Sequence, residues 1–256
     1  MQQHGTLDFA GGVPVEMASG FSAFAAATAV GARKDYGRQA LLPHNALYVL
    51  LGAGLLWFGW FGFNGGSALA ANGIAAHAFV NTDVAGSVAM CTWLFIAWLL
   101  GEARPSLIGV FTGAVAGLAT VTPAAGYIPT WAAFIIGIAA AAIAYGGVKF
   151  KTRMKWDDAL DVWAAHGLGG GLGTILVGVF ASVSINATAH NGLIYGGAAF
   201  FGKEVGATAL IAAYAFGVTW LILKVLNHFQ SVRVPDSLEQ EGLDTEFAEP
   251  LAYILE

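Results

Sequence analysis

The chain has 256 residues, 57% of them hydrophobic and 11% charged, with a mean hydropathy of +0.67. Soluble domains carry roughly 25% charged residues, so this balance excludes a soluble globular protein and describes a polytopic membrane protein. The net charge of −5 carries little weight because seven of the sixteen acidic residues follow Val234, and the single Cys91 excludes an internal disulfide and a cysteine-based metal cluster.

Met1–Gly5 lacks the basic segment and apolar core of a signal peptide. Seven apolar segments follow, over residues 9–31, 45–64, 79–101, 106–121, 131–149, 159–181 and 205–227. The fourth is short and interrupted by glycine, which predicts a tilted or broken span. Polar punctuation separates the segments at Arg33–Arg38, Asn64–Ser67, Gly101–Pro105, Thr122–Gly126 and Lys149–Lys155. This pattern predicts an all-α fold of about seven membrane helices over residues 1–230, followed by an acidic tail over 231–256.

Basic residues give the orientation. The connections after spans one, three, five and seven hold ten of the eleven Lys and Arg residues, counting Lys224 with the last, and the others hold only Lys203. Positive charge stays on the cytoplasmic side, so the first span begins outside and the tail lies inside.

Two ionisable residues stand deep in this apolar setting. Glu16 follows Asp8 by eight residues in the first span, and His166 follows Asp158 by eight in the sixth. A helix begun at each aspartate places its partner about 12 Å down the axis, near the middle of a ~30 Å hydrocarbon core. The two spans enter from opposite faces, so Glu16 and His166 are expected at similar depth. An inverted pair of this kind suits an internally two-fold transport protein. Ionisable groups so deep are costly and usually face a pathway or a partner, although a helix–helix hydrogen bond also accounts for a single histidine. Asp8 and Asp158 read as helix caps or first-turn acids, and Pro14 loosens the first helix just before Glu16. The glycines at 167, 169, 170, 171 and 173 are packing residues at small-xxx-small spacing. At the outer end of the second span, Trp60, Phe63 and Ser67 read either as interfacial anchors or as a vestibule meeting a small cation through its aromatic faces.

Taken together, several stretches resemble the ammonium transporter family, the Amt/Mep/Rh proteins. They are Asp8–Gly12, Pro43–Asn45, Gly59–Asn64 with Gly66–Ser67, Ala78–Thr82, Arg104–Ser106, Thr122–Pro123 with Gly126–Tyr127, Asp161–Val162 with His166–Gly167, and Val232–Pro235 with Glu241–Asp244. They run in family order along nearly the whole chain. The resemblance implies a homotrimer in the inner membrane, with one path for ammonium or ammonia per subunit and no cofactor, metal or nucleic acid. It implies that Trp60, Phe63 and Ser67 recruit substrate, that Phe63 is one of two stacked gates, and that Glu16 and His166 are the pore pair. Asp8, Asp158 and Asp161 then act as supporting carboxylates. Glu16 stands where most members carry the first of two histidines, and some fungal members also have an acid there.

The family has eleven spans, built as two inverted five-helix repeats and a last helix. This chain corresponds to the fifth helix, the second repeat and the last helix, so a partial chain not competent for transport alone is expected. The alternative within the family is an ammonium sensor or non-transporting paralogue acting through its cytoplasmic face, where a PII-type signalling protein docks on bacterial relatives. The tail after Asp244 departs from the usual family ending, which leaves its regulation open. Outside the family, a retinal protein has only Lys224 for a Schiff base, near the wrong end of its helix. No HExxH and no Ser/His/Asp grouping at helical spacing occurs, so no enzyme is expected.

Overall fold

The computed structural model describes residues 5–38 and 43–243. The signal-peptide reading of the first residues rests mostly on positions outside that range, and the tail beyond 243 lies wholly outside it. The described residues are helical throughout their regular parts. The helices are α1 (Gly12–Val30), α2 (Ala46–Gly66), α3 (Gly73–Leu99), α4 (Leu107–Val121), α5 (Thr130–Arg153), α6 (Trp163–Phe180), α7 (Ala198–Phe229) and α8 (Asp236–Glu241). Six of them are long and apolar enough to cross a membrane, and α4, the short fourth segment, is a shorter apolar helix.

Helix ends follow the polar residues that can cap them. Asn45, Asn72 and Ser106 accept the N–H groups of Tyr48, Ala75 and Gly109 at the starts of α2, α3 and α4. Asn72 explains why α3 begins six residues before the predicted apolar run. Likewise α7 begins seven residues early, because Glu204 is buried inside the fold rather than ending the span.

The core lies among α3, α4, α5 and α6. Ala85, Val121, Ile128, Ile136 and Val177 form one buried cluster, and Ala89, Trp93, Ala116, Ala140 and Tyr145 another. Many of these side chains are small, which lets the helix backbones approach closely. A Cβ on Gly117 would stand 2.4 Å from the Ala85 carbonyl oxygen, so α3 and α4 touch along their backbones. Motif amides fasten this core: Asn64 Nδ2 donates to Thr82 Oγ1 at 2.9 Å, and Asn81 Nδ2 donates to the Ala125 and Ile128 carbonyls. By contrast, α2 and α7 are largely exposed along apolar sides, with Leu47 74%, Phe58 75% and Leu210 68% exposed.

Candidate functional site

The site forms where α1 crosses α6. A Cβ on Gly20 would lie 2.0 Å from the Gly167 backbone nitrogen, and one on Gly170 would lie 2.6 Å from Glu16 Cβ. No other residue fits at these points, so the glycines let the two helices meet backbone to backbone. One turn before the crossing, Glu16 Oε2 lies 2.5 Å from His166 Nδ1. Glu16 is 2% exposed and the His166 side chain 26%.

Both residues sit on π turns that open their helices, Gly12–Met17 and Trp163–Leu168. π turns occur mostly as single wide turns, frequently at functional sites. In the first, Pro14 has no N–H to donate, and the turn leaves Gly11 in the left-handed region at φ 101°. Asp8 accepts the N–H groups of Gly11, Gly12 and Val13 at 3.0, 2.7 and 3.0 Å. Asp158 does the same for α6, accepting the Trp163 N–H at 2.8 Å. In each half an aspartate therefore binds the N–H five residues on, and the ionisable residue stands eight residues on.

This corrects the expected helix start. The regular helix does not begin at Asp157 or Asp158 but at Trp163, because Asp158 closes a turn over the intervening residues. Asp161 lies within that turn, in the left-handed region at φ 55°. His166 is thus in the first turn of α6, and the inverted match between the halves lies in the shared turn, not in helix length.

The supporting carboxylates differ in surroundings. Burial pushes the Asp8 carboxyl above its ordinary value, against the pull of its three backbone N–H partners. Burial also raises Asp161, against the pull of Lys151, whose ammonium lies 2.7 Å away and is itself buried. Lys151 also donates to the Asp158 carbonyl, tying α5 to the turn before α6. Burial opposes the charge on Asp157 too, yet the bidentate Arg33 guanidinium, at 2.6 and 2.7 Å, holds its carboxyl below the ordinary value.

A cavity of about 610 Å³ opens beside the pair, lined by Val15, Glu16, Ser19, Leu55, Trp60 and His166 among others. A second, of about 330 Å³, shares Gly52, Leu56 and His166 with it and continues toward Tyr48 and Leu160. His166 therefore faces both. The rim is exposed, with Val15 46%, Leu55 64% and Leu56 58% exposed, so the described residues form a groove rather than a closed tube.

Trp60, Phe63 and Ser67 follow one another along the end of α2 and its C-cap, with Phe63 touching both of the others. Trp60 is buried seven residues before Ser67 on the same chain, about 10 Å along a helix axis. Its ring lies nearly parallel to the His166 ring at 6.3 Å, and edge-on to Phe63 at 6.1 Å. Ser67 donates its hydroxyl hydrogen to the Phe63 carbonyl at 2.7 Å.

Two site residues were not singled out from sequence. Thr122 Oγ1 accepts the Trp60 indole N–H at 2.8 Å and so fixes the ring over His166; the Thr122–Pro123 motif was the available signal. Ser19 lines the cavity, and its hydroxyl donates to the Glu16 carbonyl at 3.0 Å. Nothing in its apolar neighbourhood marked it. Among the described residues, no group of three or more His, Cys, Asp and Glu side chains could hold a metal ion.

The profile of the Ammonium Transporter Family matches residues 1–253. The chain is 41% identical over 252 residues to the "Ammonium transporter" of Bacillus subtilis, covering 98% of this chain and 62% of that protein. It is 42% identical over 249 residues to "Ammonium transporter Amt1" of Archaeoglobus fulgidus, covering 97% and 63%. Among solved structures, that of Candida albicans Mep2 superposes with a TM-score of 0.87 at 33% identity, over 100% of this chain and 61% of that one. A structure described as "Sensor Amt Protein" gives 0.86 at 29% identity, over 96% and 61%. The chain spans about three-fifths of the length of these relatives.

Proposed function

The chain belongs to the ammonium transporter family, and from that premise we propose that the protein it forms moves ammonium or ammonia across the cytoplasmic membrane, with Glu16 and His166 handling the proton. The observation that carries this reading is the 2.5 Å contact between Glu16 Oε2 and His166 Nδ1 on the wall of an apolar cavity. Ammonium entering the groove meets aromatic faces at Phe63 and Trp60, which attract a cation. Loss of its water favours the neutral molecule. The ammonium proton passes to the pair, ammonia crosses the apolar stretch, and the pair gives the proton up on the far side.

Glu⁻/His⁺ and Glu-H/His⁰ carry the same net charge and differ by one internal transfer, so the pair works as a coupled unit. Its Nδ1–Oε2 contact is the route for that transfer. The acid also attracts a cation directly, which a neutral imidazole in its place does not. Asp8 and Asp158 shape the two turns that hold the pair. Ser67, at the end of α2, supplies a hydroxyl for recruitment above the rings.

The finer reading is that residues 1–256 form the C-terminal portion of a longer homotrimeric transporter, with Glu in place of the first pore histidine. The coverage of relatives and the exposed rim of the groove support it. On that reading the first span begins outside, and the inner loops and tail face the cytoplasm, where a PII-type protein docks. The likeness to the sensor structure favours one alternative, an ammonium sensor acting through that cytoplasmic face.

The test is ammonium-evoked current in the protein made from its complete gene. Glu16→Ala should abolish the current and Glu16→His should keep it with a displaced pH dependence. Unchanged current in Glu16→Ala overturns the relay, and a wild-type protein that binds ammonium without passing current selects the sensor.

A further inference from the structure

Glu204 is the one acid of α7, next to Lys203, and is fully buried, and the proposed mechanism does not use it. Its Oε1 accepts the backbone N–H of Leu7 at 2.6 Å, across 197 residues of sequence, and its Oε2 has no hydrogen-bond partner among the described residues. A buried polar group on a membrane helix is expensive, so its one bond carries unusual weight.

Leu7 leads directly into the first half of the site. The next residue, Asp8, binds the three N–H groups that open the π turn bearing Glu16. Phe9 donates its N–H to the Pro123 carbonyl at 2.9 Å, fixing the same segment against the chain after α4. Glu204 holds the other side. Behind it, a Cβ on Gly178 of α6 would lie 3.1 Å from Glu204 Cβ, so the side chain has little room to retreat. The lead-in segment, α6 and α7 meet at this one side chain.

We propose that Glu204 is a positioning residue for the Glu16–His166 pair: through the Leu7 N–H it fixes the Asp8 segment that aims Glu16 at His166. This rests on the transport reading for its functional consequence, and on the described contacts for its geometry. The charged and titratable groups around it are few. Among the described residues, Asp8 lies on the segment it holds, and the parts packed on α7 bring Glu16 from the π turn, Tyr195 from the short turn at Leu193–Tyr195, and His190, whose ring lies 5.3 Å from that of Phe200, one turn before Glu204. The helical part of α1 and α6 beyond His166 bring none, and Lys203, the neighbour on α7, lies against Gly5.

The experiment compares Glu204→Gln and Glu204→Asp with wild type, in the protein made from its complete gene. Three quantities are read: ammonium uptake per folded protein across pH, hydrogen exchange over Leu7–Met17, and the Nδ1 resonance of His166. Glutamine keeps an acceptor oxygen at the same reach, so uptake within about twofold, slow exchange and an unmoved resonance are expected. Aspartate withdraws the acceptor by one methylene. An unpaired buried donor should then bring about tenfold faster exchange, about tenfold slower uptake, a displaced pH profile and a shifted resonance.

A purely structural role would lower the amount of folded protein and leave the pH profile and the resonance where they are, which overturns the proposal. So does Glu204→Gln losing uptake and protection as Glu204→Asp does, because an acceptor at the right reach would then not suffice. Where Glu204→Asp does not fold, Leu7→Pro removes the donor instead, and wild-type behaviour of that variant overturns the proposal equally. A wild-type protein with no ammonium uptake brings down the transport reading, while the resonance and exchange still decide the positioning role.

Discussion

Gly20→Ala tests the claim that backbone contact between α1 and α6 creates the site. The added Cβ would lie 2.0 Å from the Gly167 nitrogen and 2.2 Å from its Cα, and both are backbone atoms that no rotamer change can move. Ordinary contact begins near 3.4 Å, so α1 must withdraw by about 1.4 Å. Glu16 and His166 ride on those helices, one turn and one residue from the contact. Their 2.5 Å separation would open to about 3.9 Å, past hydrogen-bond reach. Overpacking of this kind costs about 1–3 kcal/mol. The assay is thermal unfolding in detergent, read beside ammonium-evoked current across pH. Gly146→Ala on α5, where a Cβ meets nothing within 4 Å, serves as the control and should leave both unchanged. A Gly20→Ala protein with wild-type unfolding temperature and wild-type current would refute the reasoning.

Two further outcomes follow from the surroundings of the pair. Burial holds the Asp8 carboxyl above its ordinary value, so the folded protein keeps the proton more firmly than the unfolded chain. This contribution is fully present below the unfolded value of 3.8 and is lost as pH rises through the folded one. Asp8→Asn should therefore flatten the fall of unfolding temperature with pH in the range above 3.8, which a pH series of melting curves measures. Thr122→Val leaves the buried Trp60 N–H without its acceptor, at a cost of about 1–3 kcal/mol. It should lower the unfolding temperature and alter tryptophan fluorescence, and should reduce the current through the displaced ring over His166.

The apolar segments and their punctuation were legible because lipid-length runs and capping residues are local signals. Boundaries failed where a polar residue was buried by distant parts of the chain: Glu204 reads as a break in an apolar run, yet Leu7, far away in sequence, makes it part of the helix. The eight-residue echo between Asp8 and Glu16, and between Asp158 and His166, was visible as spacing. Its physical meaning was not, because a π turn has no separate apolar period and the left-handed Asp161 hides the true start of α6. The contact of Trp60 with His166 was beyond reach too, since the threonine that fixes the ring comes from the far end of another helix.

The two wide turns have a consequence for inheritance. A turn closed from residue i to i+5 contains one residue more than the α turn that would cover the same path. A single-codon deletion within Gly12–Met17 would tighten it and swing the lead-in by about 100°, while Ala18–Val30 keeps its seat against α7. The position of Glu16 is thus separable from the helix that carries it. A lineage can shift Glu16 away from His166 in one step while the helix that carries it keeps its place.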